Sequence, residues 1–167
     1  MPNNPNKSQI VYAIYPNANG FGFVYMENAR KLLDFGSVRI NPISNRKVLN
    51  RIKQSFNYLR PSLVVLQDGE GKSSRTGKRV KKLIELIAAF AAEQNLPVYR
   101  YSRDTIREVF SQFGGVTKYE ISQILINEFS ELEARLPKKR KLWTSEDYNM
   151  AIFDAISLAI TYFYLND

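Results

Sequence analysis

The sequence contains neither cysteine nor histidine. Thiol nucleophiles, Ser-His-Asp triads, imidazole general bases and Cys/His zinc sites are thereby excluded. An enzyme built from this chain is left with carboxylates, hydroxyls, lysines, or a metal held through oxygen, which points to magnesium or manganese. The lack of cysteine also excludes a disulfide scaffold and fits a reducing compartment. Long apolar runs are missing too: none reaches transmembrane length, and residues 1–8 are polar, without the hydrophobic segment of a signal peptide. The expected location is the cytoplasm.

Charge, by contrast, is abundant and lopsided. Twenty-four Lys plus Arg against sixteen Asp plus Glu leave a formal +8, which favours a polyanionic partner, nucleic acid before an anionic membrane. With 167 residues, 44% hydrophobic and 13% aromatic, the chain is long and apolar enough to bury a core. The expectation is a tail over residues 1–9 and a single domain over residues 10–167.

Patterning predicts the elements in order. Ile10 to Tyr15 reads as a buried strand, Asn17-Ala18-Asn19-Gly20 as a turn, and Phe21 to Glu27 as the hairpin's second strand. A third strand holds Leu32, Leu33, Phe35, Val38 and Ile40. Val48, Leu49, Ile52 and Phe56 fit one face of a helix over residues 45–58, stopped by Arg60-Pro61. The run Leu63-Val64-Val65-Leu66 is too short for a helix and reads as a strand covered on both faces. Thr76 then caps a helix closed at Asn95, Pro97 to Tyr101 forms a fifth strand, and Ser102 and Thr117 each cap a helix, with Gly114-Gly115 between them. Thr144 or Ser145 caps a last helix running to about Tyr164. Three closely joined strands, followed by strands separated by helices, predict an α/β domain with a mixed five-stranded sheet: an antiparallel meander plus parallel strands, flanked by helices.

The chemistry-bearing stretch is Leu63 to Lys82. Its strand delivers Gln67-Asp68 to a segment in which Lys72, Arg75, Lys78, Arg79, Lys81 and Lys82 follow without an acid after Glu70. Such a run at a strand-to-helix junction suits phosphate contact; the alternative is a solvated helix face with pairs such as Lys81 and Glu85. Lys138 to Lys141 form a second basic run, read as a loop able to touch a nucleic-acid backbone. Gly69-Glu70-Gly71-Lys72-Ser73 is similar to a P-loop, but its first glycine would fall at Leu66, and the helix starts later, near Thr76.

The order of elements resembles the RNase H-like fold, and several stretches resemble RuvC-type Holliday-junction resolvases over nearly the whole chain. Ala13-Ile14-Tyr15-Pro16 with Gly20-Phe21-Gly22-Phe23 is similar to that family's first hairpin, where an Asp precedes the Pro; here the residue is Tyr15. Val64 to Asp68 is similar to the fourth strand, with Gln67 where a Glu is usual. Gly114-Gly115-Val116-Thr117-Lys118 is similar to the glycine turn, lysine and helix after the fifth strand. Phe153-Asp154-Ala155 is similar to the last helix, with Asp154 as a metal ligand and Ala151 where the family has a second Asp.

That resemblance implies two-metal phosphodiester hydrolysis, which needs several carboxylates to hold two divalent ions roughly 4 Å apart. Tyr15, Gln67 and Ala151 take the places of three of them, and a phenol or an amide supplies no negative charge at neutral pH. Asp68 and Asp147 are candidate replacements. Asp68 follows Gln67 but points to the other face of a regular strand, and an Asp147 on the last helix would lie roughly 10 Å along the axis from Asp154. Asp147 also suits the acidic position of a capping box opened by Thr144. Two readings stay open. One is a protein that binds structured or branched DNA, as a homodimer if it follows the resolvases, with cleavage weakened or lost. The other is a Mg- or Mn-dependent endonuclease using Asp154 with Asp68 and Asp147. Lys72, Arg75, Lys78, Arg79, Lys82 and Lys118 are the expected nucleic-acid contacts.

Overall fold

In the computed structural model, which describes residues 9–70, 76–137 and 147–166, the first apolar run forms β1 (Val11–Pro16), buried along its whole length. Asn17 makes the turn that follows: its Oδ1 accepts from the backbone N–H groups of Asn19 and Gly20, both at 2.9 Å. The chain then pairs back antiparallel as β2 (Gly20–Asn28), and β3 (Lys31–Arg39) extends the meander. β4 (Leu63–Gln67) lies parallel to β1, and β5 (Val98–Tyr101) parallel to β4. The sheet order is β3-β2-β1-β4-β5, the expected meander plus parallel strands.

Period-two alternation sends successive residues of β1 and β4 to opposite faces, so the sheet separates two cores. Tyr12, Ile14, Val64 and Leu66 face α1 (Asn45–Ser55) and α2 (Lys78–Glu93), meeting Val48, Ile52, Leu83 and Ile87. Val11, Ala13, Tyr15 and Val65 face α3 (Arg103–Ser111), α4 (Lys118–Glu128) and α5 (Met150–Leu165), meeting Phe110, Leu125, Phe153 and Ile156. A 3-10 turn, Ser130–Arg135, follows α4. Among the described residues no helix is long and apolar enough to cross a membrane.

Among the boundaries that differ from the sequence reading are three helix ends. α1 ends at Ser55, three residues early, because its last turn tightens into successive turns around Phe56. α2 begins at Lys78 with Gly77 as an N-cap that has no side-chain bond; the hydroxyl of Thr76 accepts from Gln67 Nε2 at 3.1 Å. Thr144 and Ser145 lie outside the described residues, and α5 starts only at Met150. Asp147 is therefore neither a capping-box acid nor a helical neighbour of Asp154. It holds a turn before the helix, its Oδ1 accepting from Asn149 N–H at 2.9 Å and its carbonyl from Met150 N–H at 2.9 Å.

Candidate nucleic-acid interface

The parallel strands β1 and β4 are neighbours, so their carboxyl ends bring Tyr15 and Gln67 side by side, the usual place for a ligand in an open α/β sheet. Above them opens a cleft of ≈ 1170 Å³, lined by Tyr15, Gln67, the beginnings of α2, α3 and α4, and Asp147, Tyr148 and Ala151 around the start of α5. Ala151 comes close to the sheet because β2 offers Gly22 there. A Cβ on Gly22 would stand 2.0 Å from the Ala151 carbonyl oxygen, a separation no packed pair tolerates.

The lining is cationic. Lys78, Arg79, Arg103, Arg107 and Lys118 face it among the described residues, against one acid, Asp147. Three of these cations open helices: Lys78 is the first residue of α2, Arg103 of α3 and Lys118 of α4. A helix N-terminus carries the positive end of the backbone dipole, where a cation costs about 0.3–1 kcal/mol. The first turns of α3 and α4 also carry an acid each, Asp104 and Glu120, whereas that of α2 carries none, so the unfavourable charge is uncompensated within the first turn only at Lys78. Local caps position two of the three helices: Ser102 Oγ accepts from Thr105 N–H at 3.1 Å at α3, and Thr117 and Glu120 form a reciprocal capping box at α4.

Lys118 reaches the centre. Its Nζ lies 3.1 Å from Asp154 Oδ2 and 5.3 Å from the centroid of the Tyr15 ring. Asp154 is 3% exposed, so its carboxylate is a buried anion answered by an ammonium on the cleft side. Of the predicted residues, Tyr15, Gln67, Lys78, Arg79, Lys118 and Asp147 line the cleft, and Asp154 lies directly behind Lys118. Asp68 does not line it. Its Oδ1 accepts from Glu70 N–H at 3.0 Å, and its charge acts on Arg100, which grips Glu85 of α2 with both guanidinium nitrogens. That bond holds the Glu85 carboxyl below its usual range and leaves Lys81 nearest to Glu70, at 3.9 Å, not paired with Glu85 as the sequence suggested.

Other predicted contacts are redistributed. Lys82 is exposed on α2 but away from the cleft, and Lys72 and Arg75, like Lys138 to Lys141, lie outside the described residues. Arg79 is largely committed to the scaffold, donating to Asn45 Oδ1 at 2.9 Å and to the Asn17 carbonyl at 2.7 Å. Arg103 and Arg107 join the cleft from outside the predicted set. The signal for them is in the sequence, since Ser102 is a helix cap and two arginines four apart directly after it share one face.

The donor set does not fit a pair of divalent ions. Magnesium and manganese require hard, anionic oxygen, whereas the positions around the cleft centre hold a phenol, an amide and a methyl group, the Asp154 carboxylate is bound to an ammonium, and Asp147 is tied into the turn before α5. Asp68, Asp147 and Asp154 are not gathered: among the described residues no three acids form a metal-holding group.

The element order, sheet topology and cleft define an RNase H-like fold of the RuvC type. Two solved structures share it over nearly the whole chain. T. thermophilus RuvC in complex with Holliday junction substrate matches with a TM-score of 0.66 and 20% identity, covering 94% of each chain. A second Thermus thermophilus RuvC structure matches with a TM-score of 0.66 and 19% identity, over 94% of this chain and 95% of that one. No family model and no curated protein sequence matches the chain. At this identity the likeness establishes the fold, and the site must speak for its own chemistry.

Proposed function

We propose that this protein binds structured or branched DNA through the cleft above β1 and β4, with phosphodiester cleavage weakened or lost. The observation that carries the reading is the convergence of Lys78, Arg103 and Lys118, each at the start of a helix, on a cleft where Tyr15, Gln67 and Ala151 stand in place of acids. Cations and helix N-termini both attract phosphate, and here they converge on one cleft. The cleft is open and larger than most small-molecule pockets, which bind in roughly 300–1,000 Å³ with mainly apolar walls. The RuvC fold, solved elsewhere with a Holliday junction substrate, makes branched DNA the first substrate to test.

The test is fluorescence anisotropy with four-way junctions, duplexes and single strands across a salt series, alongside a cleavage assay in magnesium or manganese. The expected result is junction binding whose affinity falls steeply with salt, with no metal-dependent product. Absence of binding at low salt would refute the reading. Cleavage that disappears in Asp154→Asn would show an active endonuclease instead. A homodimer would present two clefts related by a two-fold axis to a branched substrate; light scattering on the free protein and on the junction complex measures that state.

A further inference from the structure

We infer that the exposed face of α1 is a second phosphate-binding surface, which takes the backbone of a DNA arm as it leaves the cleft past the β1–β2 turn. The inference rests on the DNA-binding reading for its substrate and adds a surface on the other side of the sheet. Residues 35–67 hold six of the twenty-four basic residues, Arg39, Arg46, Lys47, Arg51, Lys53 and Arg60, and none of the sixteen acidic ones. About a fifth of the chain therefore carries six of its eight excess positive charges.

α1 presents most of them. Val48 and Ile52 are buried against α2 and the sheet, while Arg46, Lys47, Asn50, Arg51, Lys53 and Gln54 are exposed. The polar face of the helix thus consists of cations and amides, all of them able to donate to phosphate oxygen. A solvated helix face ordinarily mixes charges, so that acids and bases one turn apart offset each other. Here Lys47 and Arg51 stand one turn apart and repel. Among the described residues no ion pair includes Arg46, Lys47, Arg51, Lys53 or Arg60.

The surface is continuous with the cleft. Asn45, at the start of α1, exchanges hydrogen bonds of 2.9 and 3.0 Å with Arg79 at the start of α2, and Phe56, just past the end of α1, packs on Phe90 with ring centroids 4.9 Å apart. The two helices therefore run in the same direction, and both begin at the cleft end. A second hollow of ≈ 250 Å³ leads from one surface to the other: it shares Ala18 and Asn19 with the cleft, is lined by Arg39, and reaches Ile43, next to the Ser44 cap of α1. α1 is about 16 Å long, the rise of about five base pairs of duplex. A basic amphipathic helix also suits an anionic membrane, but that mode requires an apolar face free to enter the lipid. The apolar face of α1 is in the core, so charge is what the helix offers a partner.

The test removes three exposed charges together, in Arg46→Gln/Lys47→Gln/Arg51→Gln. Its control, Arg30→Gln/Lys31→Gln/Arg135→Gln, lowers the net charge equally, at the other end of the meander and in the turn after α4. By anisotropy, the α1 variant should bind four-way junctions about tenfold more weakly than the native protein, with a plot of log affinity against log salt shallower by about two to three. The control should stay near native. With arms shortened stepwise, native affinity should drop once an arm no longer reaches α1, a step the α1 variant should lack. Its melting temperature should equal or exceed the native value, since the repulsion between Lys47 and Arg51 is gone. Native affinity and salt slope in the α1 variant, or an equal loss in the control, would overturn the inference. So would binding to vesicles of equal parts phosphatidylserine and phosphatidylcholine that the α1 substitutions abolish while junction binding persists. Lys78→Ala keeps the two surfaces apart. If it binds junctions like the native protein while the α1 variant does not, the cleft reading fails and the α1 surface stands; the reverse result strikes the α1 surface alone.

Discussion

At Gly22 the sheet and α5 approach so closely that a single methyl group has no room: a Cβ there would meet the Ala151 carbonyl oxygen at 2.0 Å and the Ala151 Cβ at 2.8 Å. Gly22→Ala should therefore push α5 off β2, an overpacking that costs about 1–3 kcal/mol, read as a lower urea midpoint with unchanged slope. Retention of native stability would mean that α5 is free to shift. In the sequence, Gly22 is legible as a residue of the first hairpin but not as the contact that lets α5 reach the sheet. Only the tertiary fold brings residue 151 beside residue 22. Arg79 shows the same limit in reverse. Its place in a basic run advertises phosphate contact, yet Asn45 and Asn17 occupy its guanidinium. Lys78, one residue earlier and exposed to the cleft, carries no such ties among the described contacts. Lys78→Ala should weaken junction binding at unchanged stability, whereas Arg79→Ala should lower stability first, by about 1.5–3 kcal/mol for lost charge-assisted bonds. Paired melting and anisotropy on the two variants check this division.

Among the elements, α4 shows how a local signal can fix a cleft-lining side chain. Thr117 Oγ1 accepts from Glu120 N–H at 3.1 Å, and Glu120 Oε1 accepts from Thr117 N–H at 3.0 Å, so the helix must begin at Lys118 and aim it at the cleft. Thr117→Ala should cost about 1 kcal/mol of stability, and fraying of the first turn should loosen Lys118 and weaken DNA binding as well. Equal binding with reduced stability would show that Asp154 alone holds the lysine. Caps of this kind are readable from sequence at Ser102 and Thr117, because the chemistry lies within four residues. The start of α5 is not. Thr144, Ser145 and Asp147 imitate a cap, but Asp147 closes a separate turn and the helix waits until Met150. α5 is apolar nearly all round and buried from Met150 through Ala159, so packing against β1 and β2 rather than a capping motif sets its beginning. The five strands are legible for the matching reason: buried apolar runs bounded by turn residues need no distant information.

For the whole molecule, the sheet places Lys118 and Asp154 on one side and a tyrosine layer on the other. Tyr12 and Tyr25 stack at 4.0 Å in the core beneath α1, at 0% and 1% exposure. Both hydroxyls end on Ser55. Ser55 Oγ already donates to the Ile52 carbonyl, so Tyr12 donates to Ser55 Oγ at 2.6 Å, and Tyr25 donates to the Ser55 carbonyl at 2.8 Å. Burial, first among the causes, pushes Tyr12 well above the ordinary phenol value and raises Tyr25 as well. The folded state therefore prefers both phenols protonated, while the unfolded chain releases their protons near pH 10. The stabilisation is complete below about pH 10 and is lost as pH rises toward the folded-state values, because the unfolded state then binds fewer protons. Urea midpoints should be level from about pH 8 to 9.5 and fall beyond about pH 10. Lysines titrate in the same range, so the informative quantity is the difference from Tyr12→Phe. That variant should be less stable at about pH 8, for the lost bond to Ser55, yet decline less between about pH 10 and 11. Parallel declines would show that the tyrosine layer does not govern alkaline unfolding. Because Lys118 and Asp154 lie across the sheet, Tyr12→Phe should leave junction binding at neutral pH unchanged, which separates damage to the scaffold from damage to the cleft.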